Sequence, residues 1–295
     1  MVTPGAKMAV YLAVRGFINE GDEVLIPAPS WVSYQEIVKA AGGVPVVIDL
    51  PDQKNYAITA EILEKYSSPK TKMLIVNSPN NPTGRILNHR EIEEIARFVH
   101  KKNCILLSDE IYEKIIFDGR KFVSPAAFDE LKDQTITVNG FSKAYAMTGW
   151  RLGYLAGRKQ YLDVINKLYT HTITGTSPFI QKAAVAAFDC NEEVETMRQS
   201  YEARRNYFIT ELNKIPGVSA AMPEGSFYAW VRFRAKQMTS FQIAKHLLDF
   251  GGVVGVPGAA YCKSDNQYIR FSFAAEQSKL ENAVKRIRKA VKTIL

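Results

Sequence analysis

An α/β fold with a mostly parallel sheet between helices, joined to a smaller α+β lobe, is what this sequence predicts, on three observations. Short, continuously apolar, β-branched runs alternate with amphipathic helical patterns through the first 187 residues. Runs of that kind suit strands buried on both faces, as in a parallel sheet covered by helices. The polar clusters fall directly after those runs, at the carboxyl ends of strands where such sheets bind ligands. From about Phe188 the order changes to one long helix and then strands mixed with helices, which marks a second lobe over residues 188–295.

The elements follow from pattern and punctuation. Gly5 to Asn19 reads as a helix with Ala9, Leu12, Ala13, Phe17 and Ile18 as its apolar positions. The turn Glu20-Gly21-Asp22 ends it, and Glu23 to Pro27 is a short strand. Trp31 to Ala41 is a helix closed by Gly42-Gly43, and Val44 to Ile48 is a β-branched strand. Thr59 is placed to cap the next helix, because its hydroxyl can accept from a free first-turn amide. Met73–Val76 is a strand, Glu91–Lys102 a helix, and Ile105–Leu107 and Thr135–Val138 are strands, with a further apolar run from Leu152 to Ala156. In the second lobe a long helix spans Glu192 to Lys214, with Gly217 after it. An apolar segment follows from Ser226 to Phe233, then a helix from Ser240 to Phe250 and strands at Val253–Val256 and Tyr268–Phe273. The last helix runs from Ser278 to the end of the chain.

Composition removes several function classes. The formal net charge is +8, but the basic residues are spread along the chain apart from Lys285, Arg286, Arg288, Lys289 and Lys292. Those five share a helical pattern with the apolar residues Leu280, Val284, Ile287 and Val291, so they read as the solvated face of a terminal helix. No nucleic-acid recognition motif accompanies them. Cys104, Cys190 and Cys262 are far apart and odd in number, which argues against a disulfide framework and for a reducing, cytoplasmic setting. His89, His100, His171 and His246 form no helical pair with metal-ligand spacing, so no metal is expected. No apolar run reaches membrane-span length, and the first residues do not read as a signal peptide.

The chemistry gathers around one stretch, Val138 to Gly153, which carries Lys143 and Arg151 between two apolar runs. An unpaired ammonium is costly to bury, so Lys143 either snorkels to water or serves as an amine of lowered pKa that attacks a carbonyl. The other post-strand clusters add an amide, a carboxylate, a phenol and an indole: Asn77-Ser78-Pro79-Asn80-Asn81-Pro82-Thr83-Gly84, Ser108-Asp109-Glu110-Ile111-Tyr112 and Pro27-Ala28-Pro29-Ser30-Trp31.

In this order and spacing, N-S-P-N-N-P-T-G, S-D-E-I-Y and S-K-A-Y-A-M-T-G-W-R-L-G-Y resemble the class I pyridoxal-phosphate aminotransferases of fold type I, and within them the bacterial-type aspartate and aspartate/prephenate branch. The resemblance covers essentially the whole chain. It implies a seven-stranded sheet in a large cofactor-binding domain over residues 1–187 and a small C-terminal domain over residues 188–295. It implies Lys143 as the Schiff-base lysine that also moves the substrate proton. Asp109 would face the pyridine nitrogen, where a carboxylate keeps the ring an electron sink. Its alternative is a helix N-cap. Asn81 and Tyr112 would donate to the ring's phenolic oxygen, although Asn81 in isolation suits a turn before Pro82. Arg151 would hold the phosphate, with the backbone amides of Gly5, Ala6 and Lys7 at a helix start and with Ser142. Trp31 would stack on the ring and border the substrate, or otherwise be a core tryptophan.

For the substrate, the resemblance implies Arg270 on the α-carboxylate beside Asn81, and Lys7 on a distal carboxylate. Arg270 could otherwise sit in an internal salt bridge. The implied reaction is a ping-pong transamination, L-aspartate and 2-oxoglutarate giving oxaloacetate and L-glutamate. Other chemistry of the same cofactor (aromatic or prephenate transamination, or C–S β-elimination) and a catalytically impaired cofactor-binding fragment stay open. Relatives begin well upstream of this Met1, so the resemblance also implies that an N-terminal arm and part of the small domain are not included. A cytoplasmic homodimer is expected, with neither membrane nor nucleic acid as partner.

Overall fold

The computed structural model describes residues 1–264 and 267–294. Its larger sheet is built from β1 (Val2–Thr3), β2 (Glu23–Ala28), β3 (Val44–Asp49), β4 (Thr71–Asn77), β5 (Ile105–Asp109), β6 (Thr135–Gly140) and β7 (Gly153–Ala156). The seven strands lie in the order β1-β7-β6-β5-β4-β2-β3. β2 to β6 pair in parallel, and β7 is antiparallel to both β6 and β1. The continuously apolar runs of the sequence are therefore the buried parallel strands.

Helices cover both faces because alternate strand residues point to opposite sides. On one face α1 (Ala6–Phe17), α2 (Ser33–Ala40) and α6 (Lys159–Thr172) pack on Ile26, Ile75, Leu107, Ile136 and Val138. On the other, α3 (Ala60–Tyr66), α4 (His89–Lys102) and α5 (Asp129–Lys132) pack on Leu25, Leu74, Val76 and Leu106. Thr59 caps α3 as its sequence suggests, accepting from the Ile62 amide at 3.2 Å. Asn88 and Glu91 form a capping box at the start of α4. Glu91 also pairs with Arg85 at 2.6 Å.

After α7 (Pro178–Ala187) comes α8 (Asn191–Asn213), then β8 (Val218–Ala220), β9 (Tyr228–Phe233), α9 (Ser240–Gly251), β10 (Val256–Pro257), β11 (Tyr268–Ser272) and α10 (Gln277–Ala290). The four strands form an antiparallel sheet in the order β10-β11-β9-β8. Its core includes Phe208, Leu212, Leu247, Ile269, Phe271 and Ile287, and extends to Ile111, Tyr112, Ile115 and Phe117 behind the end of β5.

Several elements differ from their sequence reading. The strand expected at Val253–Val256 shrinks to Val256–Pro257, because Val254 is 77% exposed and Gly252 ends α9 in a left-handed turn at φ 60°. The helix from Trp31 starts at Ser33, which leaves Trp31 in the turn. The terminal helix stops at Ala290 and closes in a 3₁₀ turn, Val291–Thr293, and its expected last residue, Leu295, lies outside the described residues. The helices α6 and α7 are absent from the sequence reading. Each fully buries few side chains, Ile165 and Tyr169 in α6 and Ala184 and Ala187 in α7, but α6 does carry an apolar stripe, with Tyr161, Leu162 and Leu168 also packed on the core.

Candidate active site

The polar segments that follow β2, β4, β5 and β6 converge with the start of α1 and with β9 and β11 on one cavity of about 200 Å³. Ten of the residues singled out from sequence line it: Ala6, Lys7, Trp31, Asn81, Asp109, Tyr112, Ser142, Lys143, Arg151 and Arg270. Gly5 stands one layer behind. A Cβ on Gly5 would lie 2.3 Å from Nη2 of Arg151, so the missing side chain lets the guanidinium rest against the helix start. Gly153 does the same for the backbone, since a Cβ there would come within 2.4 Å of the Ala6 nitrogen. The first amides of α1 have no partner within the helix, and Gly5 offers no side-chain cap.

Asp109 ends β5 and is buried. Its Oδ2 accepts from the Tyr34 hydroxyl at 2.6 Å, and its Oδ1 from the Ile111 amide at 3.2 Å. That second bond closes a turn, and no helix follows, so the N-cap alternative does not apply. Burial pushes the Asp109 carboxyl up to about 6, against the opposing bonds from Tyr34 and Ile111 and the charge of Lys143. Lys143 lies in the turn after β6, half-buried, with its ammonium 5.6 Å from the Phe227 ring centroid. Burial lowers its pKa, helped by the positive charges of Arg151 and Arg270 and opposed by Asp109. An amine of lowered pKa in a cavity is the condition for nucleophilic and proton-transfer work rather than for snorkelling.

Arg151 adopts a left-handed backbone at φ 53°, and its Nη1 donates to the Thr148 carbonyl at 3.1 Å. The Thr148 hydroxyl in turn donates to the Ser142 carbonyl at 2.8 Å, which ties the lysine turn to the arginine. Arg270 crosses from β11, and its Nη1 donates to Oδ1 of Asn81 at 3.1 Å. Its guanidinium carbon lies 4.3 Å from the Tyr228 ring centroid and 5.3 Å from that of Tyr261, and its buried Nε has no hydrogen-bond partner. Among the described residues Arg270 makes no ion pair, which removes the internal salt-bridge alternative. The same holds for Lys7, Lys143 and Arg151. Lys7 is exposed at the rim, its ammonium 5.0 Å from the Trp31 ring centroid.

Four cations thus face one buried carboxylate, with a ring-sized space and free helix-start amides between them. That donor set fits a planar, phosphorylated, carboxylate-accepting ligand such as pyridoxal phosphate with an amino acid. Sequence reasoning missed Tyr34, Asn77, Thr148 and Tyr228, which also line the cavity. Asn77 and Thr148 lay inside quoted motifs, whereas Tyr34 fell within the Trp31–Ala41 helix and Tyr228 within the Ser226–Phe233 apolar segment, neither of which is given any chemistry by sequence. Tyr228 accepts from the Tyr112 hydroxyl at 3.2 Å. Among the described residues no group of three or more His, Cys, Asp or Glu could hold a metal ion. No described helix is long and apolar enough to cross a membrane.

Fold and cavity together define a pyridoxal-phosphate-dependent aminotransferase of fold type I. The chain belongs to the aminotransferase class I and II family, whose model matches residues 1–287. It is 38% identical over 301 aligned positions to a probable aspartate/prephenate aminotransferase of Aquifex aeolicus, covering 100% of this chain and 76% of that one. It is 41% identical to the aspartate aminotransferase of Geobacillus stearothermophilus, covering 97% of this chain and 74% of the relative. Among solved structures, the aromatic aminotransferase of Pyrococcus horikoshii superposes with a TM-score of 0.95 at 39% identity, over 99% of this chain and 79% of that one.

Proposed function

We propose that this chain transaminates an acidic amino acid, with L-aspartate as donor and 2-oxoglutarate as acceptor. The observation that carries the reading is the set of four cations without an ion pair among the described residues, Lys7, Lys143, Arg151 and Arg270, around the buried cavity carboxylate of Asp109. Residues 1–187 serve as the cofactor lobe and 188–295 as the small lobe that brings Arg270.

When bound, pyridoxal phosphate supplies a conjugated ring that accepts negative charge from the substrate's α-carbon. Arg151 and the free amides of Ala6 and Lys7 hold its phosphate, with Ser142 beside them; the Gly5 amide, expected from sequence to join them, is instead given to the Thr3 carbonyl at 2.7 Å. Asp109 keeps a proton on the ring nitrogen. Asn81, through its free amide donors, and Tyr112, once its hydroxyl turns from Tyr228 to the ligand, hold the phenolic oxygen, and Trp31 covers the ring face. Arg270 grips the α-carboxylate, because a guanidinium fork matches two carboxylate oxygens. Lys7 at the rim meets the distal carboxylate over Trp31. Lys143, as a neutral amine, takes the proton from the α-carbon and returns it as the acid.

The test is the visible spectrum of the pyridoxal-phosphate-loaded protein before and after L-aspartate, with no oxo acid present. The reading expects loss of the visible band with release of one equivalent of oxaloacetate. A band untouched by aspartate, in folded protein, overturns it. A second reading, an aromatic donor, is favoured by the aromatic wall of Trp31, Tyr112 and Tyr228. A larger kcat/KM for phenylalanine than for aspartate would establish it.

The same reading makes the protein a cytoplasmic homodimer. Supporting it are the odd number of cysteines in the sequence and an apolar hollow of about 320 Å³ bordered by Val2, Phe141, Tyr154, Val185 and Phe188, with Phe179, on the same helix as Val185, 73% exposed. Sedimentation of the loaded protein as a monomer would contradict the dimer.

A further inference from the structure

Asp109 is held by a residue that no sequence motif marks. Tyr34 stands on α2 and is 1% exposed. Its hydroxyl reaches Oδ2 of Asp109 at 2.6 Å, while the Ile111 amide occupies one site on Oδ1. A carboxylate offers about four lone-pair sites, so each oxygen keeps one for a ligand in the cavity. The phenol is itself pinned. Its ring packs edge-on to Trp31, with centroids 5.3 Å apart at 87°, inside the apolar cluster between α1, α2 and the sheet. Burying that hydroxyl without a partner would be costly, so phenol and carboxylate fix one another.

We propose that Tyr34 is a positioning residue for the reaction: its hydroxyl fixes Oδ2 of Asp109, so that the carboxylate keeps its remaining lone pairs turned on the cavity. The proposal rests on Asp109 as the partner of the ring nitrogen. The side chains that act on the Asp109 charge are Tyr34 from α2, Lys143 from the turn after β6, and Glu110 and Tyr112 from its own segment. Glu110 and Tyr112 do not favour a charged Asp109. Lys143 does, but its proton changes during turnover. Tyr34 is the side chain whose support is constant, and a hydrogen bond donated to a carboxylate favours its ionised form.

The experiment follows Asp109 directly. In cofactor-free protein carrying isotopically labelled aspartate, the Asp109 carboxyl is titrated by infrared absorption and assigned by its loss in Asp109→Asn. Tyr34→Phe should raise its pKa by about one unit, the tenfold preference expected of one charge-assisted bond. A fluorinated tyrosine at position 34, a stronger donor of the same shape, should lower it. In the loaded enzyme, Tyr34→Phe should weaken pyridoxal phosphate several-fold. It should cut kcat by about tenfold, with KM for aspartate nearly unchanged, as for a group that acts on the transition state through another. An Asp109 pKa that is the same in wild type and folded Tyr34→Phe overturns the proposal. Should Tyr34→Phe not fold, the fluorinated variant decides alone, and an unshifted pKa there overturns it equally. Full turnover in Asp109→Asn would instead remove Asp109's own role and leave the pKa result standing.

Discussion

Arg205 and Arg270 both lie beyond residue 187 and both are withdrawn from water, Arg205 wholly and Arg270 in part, yet the chain treats them in opposite ways. Arg205, on α8, is 1% exposed, and its two terminal nitrogens meet Asp118 at 2.8 and 2.6 Å. It also donates to the Pro223 carbonyl at 2.8 Å and lies 4.6 Å over the Phe117 ring. Neighbouring backbone bonds, Phe117 to Glu224 at 3.0 Å and Ser226 to Ile115 at 2.9 Å, run through the same joint. Arg270 has an amide oxygen, two aromatic rings and an unpartnered Nε. A buried charge needs an opposite charge. Where the chain supplies it, the arginine is a fastener between α8 and the segment after β5. Where it supplies only neutral groups, the proposed function has the opposite charge come from the substrate.

That contrast can be broken at either end. The largest effect is expected next to Arg270 in the cavity. Lys143→Ala should lower kcat by about 10⁴-fold, the upper range for a lost proton-transfer group, with the melting temperature unchanged or raised. Steady-state assays and calorimetry on one preparation measure both. Arg270→Leu should cost about 10³-fold in kcat/KM for aspartate, as expected when a desolvated carboxylate loses its charged partner, and should leave stability within about 1 kcal/mol. A large stability loss without a catalytic one would place Arg270 with Arg205 among the fasteners.

Asp118→Ala tests the other end. It leaves Arg205 only the more distant Glu202, at 3.7 Å, as a charged partner, and removing one partner of a buried pair typically costs about 3–5 kcal/mol. The expectation here is the lower end, about 3 kcal/mol by urea unfolding, because Asp118 is itself 47% exposed and water can reach the joint. Activity per folded molecule should change less than about threefold, since a site away from shared partners is close to additive. A collapse of kcat/KM in folded Asp118→Ala would mean that the joint and the site are coupled.

The sequence made one half of this contrast legible. Asn81, Asp109 and Lys143 stand at or just after the ends of β4, β5 and β6, and Arg151 just before β7, and the strands are readable because parallel burial demands unbroken apolar runs. Residues at strand ends inherit their place from that pattern. Arg205–Asp118 and Tyr34–Asp109 do not. They join positions 87 and 75 apart, and the Arg205 and Tyr34 ends sit within ordinary helices. A tyrosine on an apolar helix face and an arginine in a charged helix look the same whether or not a carboxylate waits opposite. The long helix α8 was readable from its length and α7 buries too little to read, whereas the apolar stripe of α6 was present in the sequence and went unread.

The two aspartates carry the comparison into pH. Arg205 holds the Asp118 carboxyl below its ordinary value. Its contribution is therefore complete above the unfolded pKa and is lost as pH falls through the lower folded one. Asp109 has the opposite sign: burial raises it from 3.8 to about 6. The folded state then binds its proton more tightly than the unfolded chain, so stability declines as pH rises from about 4 to about 6, and the full cost stands above that. Asp109→Asn removes this cost while keeping an oxygen for Tyr34. Cofactor-free Asp109→Asn should be more stable than wild type at pH 8 by about 1–3 kcal/mol, with the advantage shrinking between pH 6 and pH 4. Urea titrations across that range measure it. A variant no more stable at pH 8 would mean that Asp109 is already compensated in the empty protein, as Arg205 is. The unmatched charge would then lie with the cations alone.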